Sequence, residues 1–289
     1  MIQERLAAPL TPAAPSTSTS TPAPIARPTP LARELGLALA LWRRDLLKLR
    51  RDTGRWVGIV LQPLLLWGLL GSGMSGVFAM KASPGTSSLA FLFPGFVAMI
   101  ALFTSIFATM AVIEDRQHGF LQQVMVAPGS RFAMIIGKIL GVLSIALIQL
   151  ALALPATLLA GFSLGGIDWP LLLASFTLGT IALTAFSFAL AWMVKTTQAY
   201  HALMGVLLLP LWLVSGALFP LPATGFLHAL AHINPIAYMV DGLRYAFAGS
   251  TAQGALASPG VALAALGGIA VFALAVAAWL ARRVEGARA

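Results

Sequence analysis

From Trp56 onward, charged residues occur almost only at the ends of long apolar stretches. Uncharged stretches cover residues 56–80, 82–113, 139–167, 169–194, 196–240 and 245–281. A helix of about 20 apolar residues crosses the hydrocarbon core of a bilayer. Only helices and closed barrels satisfy their own backbone there. The pattern therefore predicts an all-α membrane protein.

Composition supports this prediction and excludes several other classes of protein. Hydrophobic residues make up 59% of the chain and charged residues 9%, whereas soluble domains carry about 25% charged residues. There is no cysteine, so disulfides, zinc–cysteine sites and thiol nucleophiles are excluded.

The basic charge is distributed as in a membrane protein. The net charge is +9, and nine of the eighteen Lys and Arg residues precede Trp56. Most of the others lie at the ends of apolar stretches, which fits membrane topology and anionic headgroups better than nucleic acid. We therefore expect membrane lipids, and no nucleic acid, as partners.

Two segments precede the first apolar stretch. Residues 1–30 are rich in Pro, Ala, Ser and Thr, a composition that predicts a disordered tail. Residues 31–55 alternate a Leu/Trp side with a basic side at helical spacing, which predicts an amphipathic helix in the cytoplasmic membrane interface. A cytoplasmic helix packed on a partner is the alternative. The residues that define this helix are Trp42, Arg44, Lys48, Arg51 and Arg55.

The apolar stretches predict a six-span domain over residues 56–285. The predicted spans are 56–79, 89–113, 133–161, 170–194, 202–221 and 259–281. An even number places both termini in the cytoplasm, and only Lys81 and Arg244 among the basic residues then lie outside. We expect a multi-pass protein of the bacterial inner membrane. A seventh span is the rival, but it would put the Arg-rich C-terminus outside.

The segment 222–250 does not fit a simple span. It is apolar but interrupted by Pro222, Gly225 and Pro235. We predict two short helices that enter the outer leaflet and return before the last span. Asp241 and Arg244 lie one helical turn apart within this re-entrant segment.

The loop after the second predicted span carries an amphipathic motif. It opens with Glu114 and Asp115, continues through a short apolar helical face, and stops at Pro128-Gly129-Ser130. That face consists of Phe120, Leu121, Val124 and Met125. We interpret the loop as a short cytoplasmic helix that docks on another protein.

Two motifs resemble those of the ABC-2 type transporter permeases. The loop follows their pattern through Glu114, Arg116, Gly119, Leu121, Pro128, Ser130 and Arg131, with Val124 where Leu is common and Gly129 where a β-branched residue is common. The second motif, in the predicted re-entrant segment, comprises Asn234, Pro235, Tyr238, Asp241 and Arg244. The resemblance covers roughly residues 31–285.

The resemblance implies a dimer with a second copy or a paralogue, in which each permease binds an ATP-binding cassette subunit. It implies export of an apolar or amphipathic cargo such as a drug, lipid or glycan. It assigns coupling to the ATPase to Glu114, Asp115, Arg116, Gly119, Phe120, Leu121, Val124, Met125, Pro128 and Arg131. The chain has no G-x-x-x-x-G-K-[ST] loop. We therefore expect no enzyme and no cofactor in this chain, with ATP and Mg²⁺ held by the partner.

An aromatic face on the second predicted span has two interpretations. Phe93, Phe96, Phe103 and Phe107 share one side of the helix, which favours contact with lipid. The resemblance instead places the second and fifth spans around the substrate path. The candidate path-lining residues are then Phe96, Phe103, Phe107 and Trp212.

Other functions have weaker support in the sequence. A proton- or ion-coupled transporter or channel would need a buried carboxylate or a filter loop, and we expect Lys138 to extend to the membrane surface. Gly161–Gly165 matches G-x-S-x-G around Ser163, which would suit an intramembrane serine hydrolase only in a strand–turn–helix context with a histidine. His228 and His232 have metal-ligand spacing, but no third ligand is near, and we predict no metal. Gly137 and Gly141 predict close helix packing.

Overall fold

The computed structural model describes residues 29–51, 53–73, 87–117, 130–222, 224–249, 252 and 254–286. Within these ranges the regular structure is helical and contains no strand, which confirms the all-α prediction. The helices are α1 (Pro30–Arg51), α2 (Thr53–Gly73), α3 (Ser88–Gln117), α4 (Arg131–Ala153), α5 (Pro155–Leu159), α6 (Trp169–Met193), α7 (Thr197–Leu213), α8 (Phe226–His232), α9 (Pro235–Ala248) and α10 (Pro259–Gly286), with a 3₁₀ turn at Leu164–Gly166 between α5 and α6.

Among the described residues, four helices are long and apolar enough to cross a membrane. They are α3, α6, the Phe132–Ala153 part of α4 and the Pro259–Leu280 part of α10, and they coincide with the second, fourth, third and sixth predicted spans. The first and fifth predicted spans coincide with shorter apolar helices, Val60–Gly73 and Thr197–Leu213.

Several predicted boundaries differ from the structure. The helix predicted over 31–55 ends at Arg51, so Arg55 belongs to α2. The third predicted span, 133–161, is divided before Pro155, which has no N–H to continue the hydrogen-bond ladder of α4. The fifth begins at Thr197 because the Thr196 hydroxyl accepts a hydrogen bond from the Ala199 N–H at 3.2 Å. The predicted tail lies outside the described residues except at its last two positions.

Helix α6 lies at the centre of the bundle and packs against α3, α4, α9 and α10. Small residues allow its close contact with α9. A Cβ placed on Gly179 would lie 2.7 Å from the Cγ of Met239, and one placed on Gly242 would lie 2.1 Å from the hydroxyl of Ser175. Small side chains at such contacts let membrane helices approach closely.

The amphipathic helix α1 packs along the first turns of α4. A Cβ on Gly137 would lie 2.6 Å from the Ala38 carbonyl oxygen, and one on Gly141 would lie 3.2 Å from Asp45. The Trp42 indole N–H donates to the Ser144 hydroxyl at 2.9 Å. The close packing predicted at Gly137 and Gly141 is therefore present. Four leucines of α1 are exposed instead of facing α4: Leu31, Leu35, Leu39 and Leu47.

Gly137→Ala should weaken the attachment of α1. The new methyl group would overlap the backbone of Ala38, which has no flexible end that can move aside. Overpacking of this kind costs about 1–3 kcal/mol, so the melting temperature followed by tryptophan fluorescence should fall. Gly68→Ala is the matched control, because nothing lies within 4 Å of its new methyl group. Equal melting temperatures for the two variants would contradict the α1–α4 contact.

The expectation that the aromatic face of the second predicted span contacts lipid is wrong for Phe93 and Phe96. Both are buried within the chain, since α2, α7 and α9 cover this part of α3. The ring of Phe93 lies 5.2 Å from that of Trp67 and 5.2 Å from that of Phe247. The Phe96 ring lies 5.6 Å from Trp212.

The candidate path-lining residues separate into two groups. Phe96 and Trp212 belong to the interior of the protomer, where the Trp212 indole N–H donates to the Gly95 carbonyl at 3.0 Å. Phe103 and Phe107 are half-buried, with ring centroids 6.2 Å apart. Only the second pair is accessible to a molecule outside the protomer.

Candidate functional site

A cluster of charged side chains joins α1, α3 and α4. Arg44 Nη2 lies 2.6 and 2.8 Å from the two carboxylate oxygens of Asp115. Lys48 Nζ lies 3.4 Å from the same carboxylate. Lys138 Nζ lies 3.0 Å from Asp45 and 3.7 Å from Asp115. We call these five residues the charge cluster.

Burial makes the charge cluster depend on complete pairing. Asp115 is 9% exposed and Lys138 is 5% exposed. A buried charge that loses its partner is strongly destabilising. Here two carboxylates face three cations, so each carboxylate is essential to the balance.

The prediction that Lys138 extends to the membrane surface is wrong. Its side chain turns inward, because the carboxylates of Asp45 and Asp115 lie within reach of its ammonium group. A single basic residue between apolar residues suggested snorkelling, but its partners lie on other helices, far away in sequence.

The end of α3 is fixed on the end of α6. Arg116 donates hydrogen bonds to the carbonyls of Ala191, at 3.4 Å, and Val194. The Gln117 amide donates to the Lys195 carbonyl at 3.1 Å. These donors satisfy carbonyl groups that the end of a helix leaves without internal partners. The last residues of α3 are thus held in place on the end of α6.

The described chain resumes at Ser130, which caps α4. The Ser130 hydroxyl accepts from the Ala133 N–H at 3.1 Å. Glu34 of α1 in turn accepts hydrogen bonds from the Ser130 N–H, at 2.9 Å, and from its hydroxyl. Helix α1 therefore contacts the described chain on both sides of residues 118–129: Glu34 binds Ser130 on one side, and Arg44 and Lys48 bind Asp115 on the other.

The structure places only some of the predicted coupling residues. Glu114 is half-buried on α3, next to Asp115 and Arg116. The others lie outside the described residues or have side chains outside them: Gly119, Phe120, Leu121, Val124, Met125, Pro128 and Arg131, and in the α1–α2 region Arg51 and Arg55. The sequence analysis missed Glu34 and Asp45. Both are acids within an otherwise basic amphipathic helix, and that contrast was the sequence signal that could have identified them.

Two helices, α8 and α9, occupy the segment for which two short helices were predicted. Asn234 joins them to the end of α7. Its side-chain oxygen accepts from the Ile236 N–H at 3.0 Å, and its amide donates to the Leu211 carbonyl at 2.6 Å. Pro235 occupies the first turn of α9, where a missing N–H has no cost. The Tyr238 hydroxyl donates to the His232 carbonyl at 2.8 Å.

Asp241 and Arg244 hold the connection from α9 to α10. The Asp241 carboxylate accepts the N–H groups of Leu256 and Ala257, each at 2.9 Å. Arg244 donates to the carbonyl of Gly254 at 2.9 Å and to that of Gly216, and its guanidinium lies 4.5 Å from the Phe91 ring centroid. Both side chains are at most 3% exposed. Each binds backbone, so together they fasten three separate segments.

The structural context of Ser163 does not fit a nucleophile. Ser163 is exposed between α5 and the 3₁₀ turn, and no strand precedes it in the described part of the chain. No histidine of the described residues is hydrogen-bonded to it. Among all the described residues, no group of three or more His, Cys, Asp or Glu side chains is placed to share a metal ion.

Comparison with known proteins gives a consistent family relationship. The family model for the ABC-2 type transporter matches residues 37–248. Nodulation protein J of Rhizobium meliloti is 30% identical over 73% of this chain and 81% of its own length. The ycf38 protein of Cyanophora paradoxa is 28% identical over 73% and 74%. The inner membrane transport permease YadH of Escherichia coli is 24% identical over 73% and 82%.

Proposed function

This chain belongs to the ABC-2 type transporter family, and from that premise we propose that it is the permease subunit of an ATP-driven exporter. The matched region contains the charge cluster, the described residues on either side of residues 118–129, and α8 and α9. The proposal assigns ATP hydrolysis and the bound Mg²⁺ to a separate ATP-binding cassette subunit.

The attachment of α1 to the chain on both sides of residues 118–129 is the observation that carries this proposal. A partner that moves this segment pulls on Asp115 and Ser130 together. Both are bound to α1, and Asp115 is also bound to α4 through Lys138. The segment, α1, α3 and α4 would therefore respond as one unit, as required to transmit a movement from an ATPase into the membrane.

A second copy or a paralogue would complete the translocation path. Phe103 and Phe107 of α3 are the candidate path-lining residues with surface available to a neighbouring protomer or cargo. Their aromatic rings suit an apolar or amphipathic cargo such as a drug, a lipid or a glycan. The lining beyond this pair belongs to the partner copy.

The proposed topology has six spans in the bacterial inner membrane, with both termini in the cytoplasm. Because the chain has no cysteine, single-cysteine variants report sidedness directly. A membrane-impermeant maleimide added to intact spheroplasts should label Gly165→Cys and Thr224→Cys, and should label Gln198→Cys and Ala289→Cys only after lysis. Labelling of Ala289→Cys in intact spheroplasts would instead support seven spans.

The energy source distinguishes an ABC exporter from an ion-coupled transporter. Inverted membrane vesicles containing the chain and its partner should accumulate a cargo from a panel of lipophilic dyes and labelled lipids. Accumulation should require ATP, stop with vanadate and persist with a protonophore. Accumulation that a protonophore abolishes and vanadate does not affect would favour the proton-coupled alternative.

Ser163→Ala should leave transport and stability unchanged. The side chain is exposed and forms no contact on which the bundle depends. Transport in the same vesicles and the melting temperature should stay within experimental error of the unaltered chain. Loss of transport with an unchanged melting temperature would instead support the intramembrane serine hydrolase that uses Ser163.

A further inference from the structure

Two histidines on α8 bring their ring nitrogens together at the surface. His228 Nε2 and His232 Nε2 are 3.1 Å apart, and the ring centroids are 4.6 Å apart. His228 is half-buried and His232 is exposed. Neither ring belongs to the contacts that fasten α8 and α9, because Tyr238 binds the backbone carbonyl of His232 and not its side chain.

The sequence predicts no metal at His228 and His232, because no third ligand is near. From the approach of their Nε2 atoms to 3.1 Å we propose instead that the two residues form a two-nitrogen binding site for a divalent transition metal of the Zn²⁺, Cu²⁺ or Ni²⁺ type. Histidines four residues apart lie on one helix face, the arrangement that metal-binding helices use. Imidazole nitrogen suits these ions, whereas Mg²⁺ and Ca²⁺ prefer oxygen.

The distance between the nitrogens fits coordination to one ion. With Zn–N bonds of about 2.0–2.1 Å, a 3.1 Å separation corresponds to an N–Zn–N angle of about 97°. A regular tetrahedral angle needs the nitrogens only about 0.3 Å farther apart, which a small rotation of either ring provides. Both rings must carry their proton on Nδ1, so that each Nε2 presents its lone pair to the ion.

The chain supplies two ligands and leaves the other positions open. The nearest carboxylate along the chain, Asp241, is buried on α9 and occupied by the Leu256 and Ala257 N–H groups. Water would fill the remaining positions, as in metal sites that keep a place for an exchangeable ligand.

The site lies at the opposite end of the bundle from the charge cluster. Helix α7 begins near Phe107 of α3, where His201 contacts that ring, and ends near Gly95, where Trp212 binds. Helix α8 follows that far end. A bound ion would link two residues one turn apart on this seven-residue helix, which is too short to be stable alone. The ion would thereby stabilise α8, the helix that leads into Asn234 and α9.

The test is a Zn²⁺ titration of the full chain in detergent, followed by calorimetry at about pH 8, at which free imidazole is neutral. The protein must carry a tag without histidine. We expect one Zn²⁺ per chain and a melting temperature that rises with Zn²⁺ concentration, since a ligand that binds the folded state stabilises it.

Three variants define the site. His228→Ala and His232→Ala should each weaken Zn²⁺ binding at least tenfold. His232→Ala combined with Ile233→His keeps the number of histidines but moves one off the shared face, and should bind as weakly as His232→Ala. His201→Ala, on α7, is the control and should bind as the unaltered chain does.

Two results would overturn the proposal. One is no saturable Zn²⁺ binding by a folded, monodisperse chain. The other is binding that persists in the folded His228→Ala/His232→Ala chain or in the displaced-histidine variant. In that case the ion binds elsewhere, and the 3.1 Å contact is only a hydrogen bond between two neutral rings. Neither result bears on the ATP-driven transport proposed above.

Discussion

Asp115→Asn should abolish transport and strongly destabilise the chain. Asparagine has the same shape but no charge, so the buried Lys138 loses one carboxylate and Arg44 loses its ion pair. Removing one partner from a buried ion pair costs about 3–5 kcal/mol. The melting temperature should fall, and ATP-dependent accumulation in inverted vesicles should disappear.

Two further variants separate this effect from a general effect of losing a carboxylate. Asp168→Asn changes an exposed acid that caps α6 through the Leu171 N–H. It should be neutral, because asparagine caps equally well. Adding Lys138→Met and Asp45→Asn to Asp115→Asn removes the buried ammonium group together with both of its carboxylate partners. It should recover part of the stability, since apolar replacement of buried ion pairs is often tolerated. Full stability and transport in Asp115→Asn alone would show that the charge cluster is dispensable.

Arg244→Met should be the second severe substitution. It removes the donor to the carbonyls of Gly216 and Gly254 and leaves the buried Gly216 carbonyl without this partner. An unsatisfied buried polar group costs about 1–3 kcal/mol. The melting temperature should fall, and amide exchange should accelerate in the segment 254–258.

Arg244→Lys tests the geometry of this contact. One ammonium group is a point charge and cannot reproduce the planar fork that reaches two carbonyls in separate segments. The lysine variant should therefore be nearly as unstable as Arg244→Met. Lys195→Met, at an exposed position between α6 and α7, is the control and should be silent. A lysine variant with normal stability would mean that charge alone holds this segment.

The helices were predictable because charge is excluded from the membrane interior. That rule located α3, α4, α6 and α10, but it could not place their ends. Local chemistry determines where helices end and begin. Pro155 ends the hydrogen-bond ladder of α4. The Thr196 hydroxyl caps α7, which therefore begins before the predicted residue 202.

Contacts between distant residues could not be predicted from spacing. The loop motif drew attention to Glu114, yet Asp115 is the acid that joins three helices, because it faces α1 and α4. The same limit applies to Phe93 and Phe96. A helical face rich in phenylalanine has the same pattern whether lipid or other helices cover it, and only the folded bundle shows that α2, α7 and α9 do so.

The most direct test of the central claim is affinity purification of the chain from its native membranes in mild detergent, with mass spectrometry and an ATPase assay. We expect recovery of a subunit with a G-x-x-x-x-G-K-[ST] loop at about equal stoichiometry. We also expect loss of that subunit when residues 119–125 are scrambled in a chain that still folds. A monodisperse, folded chain that recovers no ATPase, or that retains it after scrambling, would show that this chain is not coupled to an ATPase through that segment.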